Sequence, residues 1–261
     1  LTAKLWIRKK SMVVNVTIWM GDCPREGISK KRWFKFFEYY DIHKWILARE
    51  TGKNGYEHYQ FRFQTGQFDT EEGFKELKEW FKKAHFEKAS DEWEYERKEG
   101  RYFTGDDNPA TIQQRYGRLR EEQQNVLNLL RETNDREIVL WLDRRGCSGK
   151  SWLCGALYER RMGFYVPPYV DSVKGILQFV ASGYRSEQII VIDLPRAIKW
   201  TNDLYAGVEA IKDGLVADSR YSARTRNIRG VKVLVLANTA PKLDRLSADR
   251  WLIYEPSAPI T

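Results

Sequence analysis

A chain of 261 residues with a formal net charge of +8 is long enough for one large domain or two modest ones, each with its own core. The basic balance, with a pI near 9.2, favours anionic partners and nucleic acid first. Three scattered cysteines exclude a disulfide framework or zinc site and fit a reducing compartment, while no signal peptide and no apolar run of roughly 18–20 residues is found, so no membrane partner is expected.

In chain order, Lys4 and Arg8-Lys-Lys10 read as a short solvated basic arm, and the β-branched run Ser11–Met20 as a first strand. Asp22–Gly27 has turn chemistry, and Ser29 is placed to cap an amphipathic helix through Tyr40. Lys44–Glu50 reads as a second strand, closed by the glycine-rich connection Thr51–Gly55. Glu57–Gln64 alternates, with Tyr59, Phe61 and Phe63 on one face and His58, Gln60 and Arg62 on the other. Thr70–Lys83 has helical periodicity, His85–Lys88 reads as a short strand and Asp91–Gly100 as a charged helix. This order describes an α+β domain on an antiparallel sheet, expected over residues 1–105. Turn residues at Thr104–Ala110 mark a boundary, and Gln113–Thr133 reads as one long helix, so 106–134 is expected to be a linker and oligomerisation segment. Over 135–261 the apolar strands Ile138–Leu142, Phe164–Val166, Gln188–Asp193 and Val231–Ala237 alternate with helices, the pattern of an α/β domain with a sheet buried on both faces.

Two constellations carry chemistry. The first is Gly146-Cys-Ser-Gly-Lys-Ser151, after an apolar strand and before a helix, as a phosphate-binding loop requires. Backbone N–H groups over Gly146, Cys147, Ser148 and Gly149 would cradle phosphates, Lys150 would neutralise the β/γ oxygens and Ser151 would reach Mg²⁺. Arg144 stands where the full Gly-x-x-x-x-Gly-Lys-Ser pattern has glycine. Asp193 ends an apolar strand about forty residues later, as a Mg²⁺-holding acid does, but Leu194 follows where a second acid would orient water. Asn238 ends another strand, where an amide can sense a γ-phosphate. Lys212, Arg220, Arg224 and Arg226, with Tyr221, form the basic stretch expected to track DNA.

The second constellation is His58-Tyr-Gln60, which puts an imidazole and an amide on one strand face, with Glu50 across the hairpin. One imidazole, one amide oxygen and one carboxylate make a hard, open site for Mg²⁺ or Mn²⁺. Tyr95 and Lys98 share a face at i and i+3, a nucleophile and a cation for phosphate charge.

Taken together, the phosphate-loop series resembles the superfamily 3 helicases, and Val16–Trp19, His58–Gln60 and Tyr95–Lys98 resemble the three motifs of His-hydrophobic-His (HUH) rolling-circle endonucleases, with Gln60 replacing the second histidine. Asp193-Leu-Pro-Arg196 is similar to a Walker B variant of that group. The chain is thereby identified with the replication initiators of circular Rep-encoding single-stranded DNA viruses. The resemblance implies a nickase with Tyr95 as nucleophile, Lys98 beside it and Glu50, His58 and Gln60 as metal ligands. It also implies an ATP- and Mg²⁺-dependent helicase acting as a hexameric homo-oligomer, with Arg245 or Arg250 as arginine finger. Single-stranded DNA and an origin stem-loop are the implied partners, in the nucleus of a eukaryotic host or otherwise in host cytoplasm. Arg144 and Leu194 keep open an alternative, a non-catalytic nucleic-acid-binding protein with a degenerate ATPase domain.

Overall fold

Alternation over Glu57–Thr65 organises the first part of the chain, because one face of that strand is aromatic and the other polar. The computed structural model describes residues 16–220 and 224–256. It divides the chain into two compact units, Leu1–Asp107 and Asn108–Thr261.

In the first unit, β1 (Thr17–Pro24), β2 (Trp45–Thr51), β3 (Glu57–Thr65), β4 (Glu87–Lys88) and β5 (Tyr102–Thr104) form one antiparallel sheet in the order β4-β1-β3-β2-β5. Helices α1 (Lys30–Tyr39) and α2 (Glu71–Trp80) cover one face. There Tyr59, Phe61 and Phe63 of β3 meet Trp33, Phe36 and Phe37 of α1 and Leu77 of α2. Trp33 stacks on Phe81 with ring centroids 3.7 Å apart. Each such ring, fully buried, contributes roughly 1.5–3 kcal/mol of transfer free energy, enough to fix the strand's register.

Several boundaries differ from expectation. β1 runs through Asp22–Pro24, expected as a turn, because β3 continues to pair with it as far as His58. Residues 11–15 of the expected strand lie outside the described residues. Gly21 lies so close to the incoming chain that a Cβ would stand 1.9 Å from the His85 carbonyl oxygen. Ser29 precedes α1 without a side-chain cap, whereas Thr70 does cap α2 through Gly73 N–H. The largest correction is at Asp91–Gly100, where the expected helix is only a 3-10 turn over Tyr95–Arg97. The segment has no apolar stripe to bury, and its charged side chains bind the sheet instead. Gly100, at φ 66°, reverses the chain into β5, a strand the sequence did not suggest.

The second unit begins with α3 (Pro109–Tyr116), capped by an Asn108–Thr111 capping box, and α4 (Glu121–Glu132). These replace the single helix expected over Gln113–Thr133. At Gly117 the backbone is extended, and a Cβ there would lie 2.3 Å from the Gln113 carbonyl oxygen. Val126, Leu127 and Leu130 of α4 pack in the core with Val139 and Leu234, so the segment expected as a linker belongs to this unit.

The sheet of this unit is parallel throughout, β12-β6-β11-β8-β7, from β6 (Ile138–Leu142), β7 (Gly163–Val166), β8 (Ile189–Leu194), β11 (Lys232–Ala237) and β12 (Trp251–Tyr254). Helix α5 (Lys150–Glu159) lies with α4 on one face, and α6 (Val173–Gly183) and α7 (Asn202–Asp213) on the other, burying the sheet between two apolar clusters. A separate hairpin joins β9 (Leu215–Asp218) to β10 (Arg224–Asn227). No helix among the described residues is long and apolar enough to cross a membrane.

Candidate active sites

The polar face of the first sheet is built by register. Glu50 of β2 pairs with His58 of β3, and Gln60 pairs with Ala48, so Glu50, His58 and Gln60 share one face. Glu50 is 4 % exposed and Gln60 9 %. The His58 Nε2 is 3.7 Å from Glu50 Oε2. Its Nδ1 lies 3.3 Å from the Tyr56 carbonyl oxygen, and the Tyr56 ring stacks on the imidazole. With Nδ1 protonated toward that carbonyl, Nε2 is the lone pair left for a metal.

The 3-10 turn lies over this face. Lys98 Nζ is 2.7 Å from Glu50 Oε2 and 3.9 Å from the centroid of the Tyr95 ring. In a 3-10 turn residues i and i+3 eclipse, so the expected Tyr95–Lys98 pairing survives the loss of the helix. Burial works to lower the Lys98 ammonium, but its contacts with Glu50 and Tyr95 outweigh this and hold it above its ordinary value. Tyr95 is 53 % exposed. The structure thus sets Glu50, His58 and Gln60 on one sheet face and brings Lys98, with Tyr95 beside it, to Glu50.

The donor set fits a divalent cation. Glu50 Oε1 is buried without a hydrogen-bond partner, which is costly unless a cation completes it. No group of three His, Cys, Asp or Glu side chains that could hold a metal is gathered among the described residues, and on this face the Gln60 amide stands beside Glu50 and His58.

In the second unit the loop after β6 is held by a residue the sequence reading passed over. Asp143 accepts hydrogen bonds from Gly146 N–H at 2.7 Å, Ser148 Oγ at 2.6 Å and Lys150 Nζ at 2.9 Å. Burial alone would raise the Asp143 carboxyl, but the Ser148, Lys150 and Gly146 bonds outweigh it and hold it well below its ordinary value. The signal was present as Asp-x-x-Gly. Gly146 and Gly149 adopt φ near 90°, the left-handed region, whereas Arg144 does not. Arg144 points instead at Glu255, 3.6 Å away, so the missing glycine at 144 strains nothing. A cavity of about 540 Å³ opens beside the loop, lined in part by Arg120, Asp143, Ser148 and Glu255.

Gly149 caps α5, where Lys150 is buried and Ser151 exposed. The exposed Cys147 holds φ 65°. Burial raises the Asp193 carboxyl against the lowering charge of Lys150, placing the two in one electrostatic environment. Asn238 donates from Nδ2 to the Asp143 carbonyl oxygen at 2.6 Å, tying the end of β11 to the loop.

The expected DNA-contacting residues divide. Arg220 and Arg224 are exposed near the β9–β10 connection, Arg220 paired with Asp218. Tyr221 lies outside the described residues. Lys212 does not belong to that surface, since it is 1 % exposed and donates to the Val231 carbonyl oxygen at 3.1 Å. Arg226 bonds the Ala181 and Tyr184 carbonyl oxygens and is structural. As an arginine finger, Arg250 is corrected too, because it is 4 % exposed and bound to Asp213 at 2.7 Å and Glu209 at 3.4 Å. Arg245 is exposed, in a cavity of about 560 Å³ rimmed by Arg196, Lys199 and Lys242.

Among known proteins, no family model matches the chain. It is similar to the master replication protein of subterranean clover stunt virus, 26 % identical over 164 residues, which are 58 % of this chain and 54 % of that protein. It is likewise similar to those of faba bean necrotic yellows virus, at 27 % over 48 % of this chain and 41 % of that protein, and banana bunchy top virus, at 28 % over 48 % and 41 %. The chain spans about half the length of the curated relatives it matches. By sequence, over about half its length, this chain is similar to the Rep-type replication initiators of circular single-stranded DNA viruses.

Proposed function

We propose that the chain initiates rolling-circle DNA replication, nicking and rejoining single-stranded origin DNA through Tyr95 in an HUH-type first unit. The observation that carries this is the convergence of Tyr95, Lys98 and Glu50, with Glu50 Oε1 left bare. The Tyr95 phenol oxygen attacks the scissile phosphorus and loses its proton to solvent. The P–O3′ bond breaks, the 3′ oxygen takes up a proton, and the 5′-phosphate stays on Tyr95. Lys98 offsets the charge gathering on the phosphate, and His58, Glu50 and Gln60 would hold Mg²⁺ or Mn²⁺, which polarises that phosphate when bound. Attack by a free 3′-hydroxyl reverses the step and rejoins the strand.

The second unit is read as a P-loop, superfamily 3-like ATPase. Lys150 and Ser151 would face ATP–Mg²⁺, with Asp193 near the metal and Asn238 near the γ-phosphate, while Arg220 and Arg224 contact DNA. In this reading the active form is a homo-oligomeric ring, with a hexamer as the expected state and Arg245 reaching the neighbouring site. It works in the host nucleus, or in host cytoplasm where there is none. Incubation with an origin-strand library and Mn²⁺, followed by mass analysis, should yield a nucleotide adduct on Tyr95 and none with Tyr95→Phe. Equal cleavage by Tyr95→Phe rejects the assignment.

Asp143 motivates a second reading of this unit. Its carboxylate takes donors that a phosphate would use, and Leu194 follows Asp193, as in a degenerate ATPase that only binds nucleic acid. Absence of ATP turnover with and without single-stranded DNA would select that reading for this unit, whatever the first unit does.

A further inference from the structure

The turn that carries Tyr95 is fastened to the sheet on three sides by the residues that follow it, while Tyr95 itself is 53 % exposed and touches Lys98. Glu96 Oε1 is 3.0 Å from Arg62 Nε of β3, Arg97 Nη1 is 3.1 Å from the Tyr102 hydroxyl of β5, and Lys98 Nζ is 2.7 Å from Glu50 of β2. Of these contacts the Arg62–Glu96 pair is the most deeply buried, with side chains 5 % and 0 % exposed. Arg62 also donates from Nη1 to the Ser90 carbonyl oxygen at 2.7 Å, and its guanidinium sits 5.9 Å from the centre of the Trp93 ring. It therefore grips the segment leading into the turn as well as the turn itself.

Arg62 stands two residues beyond Gln60 on the same face of β3, and Glu96 is the immediate neighbour of Tyr95. We propose that the buried Arg62–Glu96 pair is a positioning device that sets Tyr95 over the Glu50–His58–Gln60 site, so that one strand places both metal ligands and nucleophile. Removing two charges from water is expensive, and an apolar pair of similar volume would serve stability at least as well. What the ion pair adds is direction, because the planar guanidinium donates to the carboxylate along fixed lines. Burial raises the Glu96 carboxyl despite the Arg62 charge, with Glu50 adding to the rise, so the pair lies within the field of the ligand site. A displacement of about 1 Å at a nucleophile costs on the order of 100-fold in rate.

The inference rests on the nicking reading, and two measurements on the full chain keep their failures apart. With tyrosines isotopically labelled, added Mn²⁺ should broaden the ring signals of Tyr95 and of Tyr56, which stacks on His58. In the double variant Arg62→Met with Glu96→Met, which removes both charges together and keeps the core filled, Tyr56 should keep its Mn²⁺ broadening while that of Tyr95 measurably falls. Its rate of Tyr95 adduct formation at saturating Mn²⁺ and DNA should fall at least 10-fold, with KM for the strand changed less than 3-fold. Glu96→Gln keeps an acceptor for Arg62 and should restore both signals to near the parent protein. A double variant in which Tyr95 stays broadened and forms adduct at the parent rate overturns the positioning role. A parent protein that forms no adduct defeats the nicking reading alone, and the ring signals still decide the positioning. Absence of any Mn²⁺ effect on Tyr56 and Tyr95 defeats both.

Discussion

Lys98 Nζ lies 2.7 Å from Glu50 Oε2, and Glu50 is at the same time the carboxylate proposed to bind a divalent cation. The ammonium and the metal therefore compete for one carboxylate. Metal binding should free Lys98 toward Tyr95 and the phosphate. Lys98→Met should tighten Mn²⁺ binding by roughly 3–10-fold, about 1 kcal/mol for a partly exposed pair, while cutting adduct formation at least 10-fold. Titration followed by electron paramagnetic resonance measures the first quantity; weaker Mn²⁺ binding by the variant would show that the two cations do not compete.

Asp143 and Lys150 form the corresponding internal pair of the second unit, at 2.9 Å. A phosphate entering the loop must displace that carboxylate from Lys150 and from the Gly146 N–H. Asp143→Asn should remove the competing charge and tighten nucleotide binding by about 10-fold, or ~1.4 kcal/mol. Fluorescent-nucleotide titration measures it, and looser binding would mean that Asp143 shapes the loop more than it blocks it.

Cys147 holds φ 65°, in the region where a Cβ costs about 1–2 kcal/mol. Cys147→Gly removes that strain but gains freedom in the unfolded chain, so a net gain of ~0.5–1 kcal/mol is expected. Thermal or denaturant unfolding reads it, and a destabilised variant would show that the thiol is needed for packing.

Lys212 links pH to the stability of the second unit. Burial depresses its folded-state pKa from 10.5 to about 8. Between those values the unfolded chain binds more protons, so stability rises with pH from about 8 toward 10.5, and the penalty is fully present below 8. Against the parent protein, Lys212→Met should lose this rise, amounting to at most ~3 kcal/mol by linkage. Parallel urea titrations at pH 7 and pH 9.5 compare the two slopes; identical slopes would remove Lys212 as the source.

Much of the first site was legible because strand alternation fixes faces locally. His58, Gln60 and Arg62 must share a side whatever the rest of the chain does, and β2–β3 pairing then brings Glu50 across from His58. Likewise, the apolar runs at Ile138–Leu142 and Val231–Ala237 had to be buried, and both enter the parallel sheet. Misread were the segments whose conformation depends on distant partners. Asp91–Gly100 carries residues that suit a helix, yet Glu96, Arg97 and Lys98 are drawn to three different strands, and those long-range bonds outweigh weak local preference.

Charge shows the same division. Composition alone established that this chain is basic and which residues carry the charge. Only the tertiary structure decided that Lys212, Arg226 and Arg250 spend their charges on internal carbonyls and carboxylates, while Arg220, Arg224 and Arg245 stay exposed. The reason is physical: a cation's availability depends on its burial and partners, and these are set by contacts far away in sequence. Periodicity and motif order are local properties and can be read along the chain; desolvation and pairing exist only once it has folded.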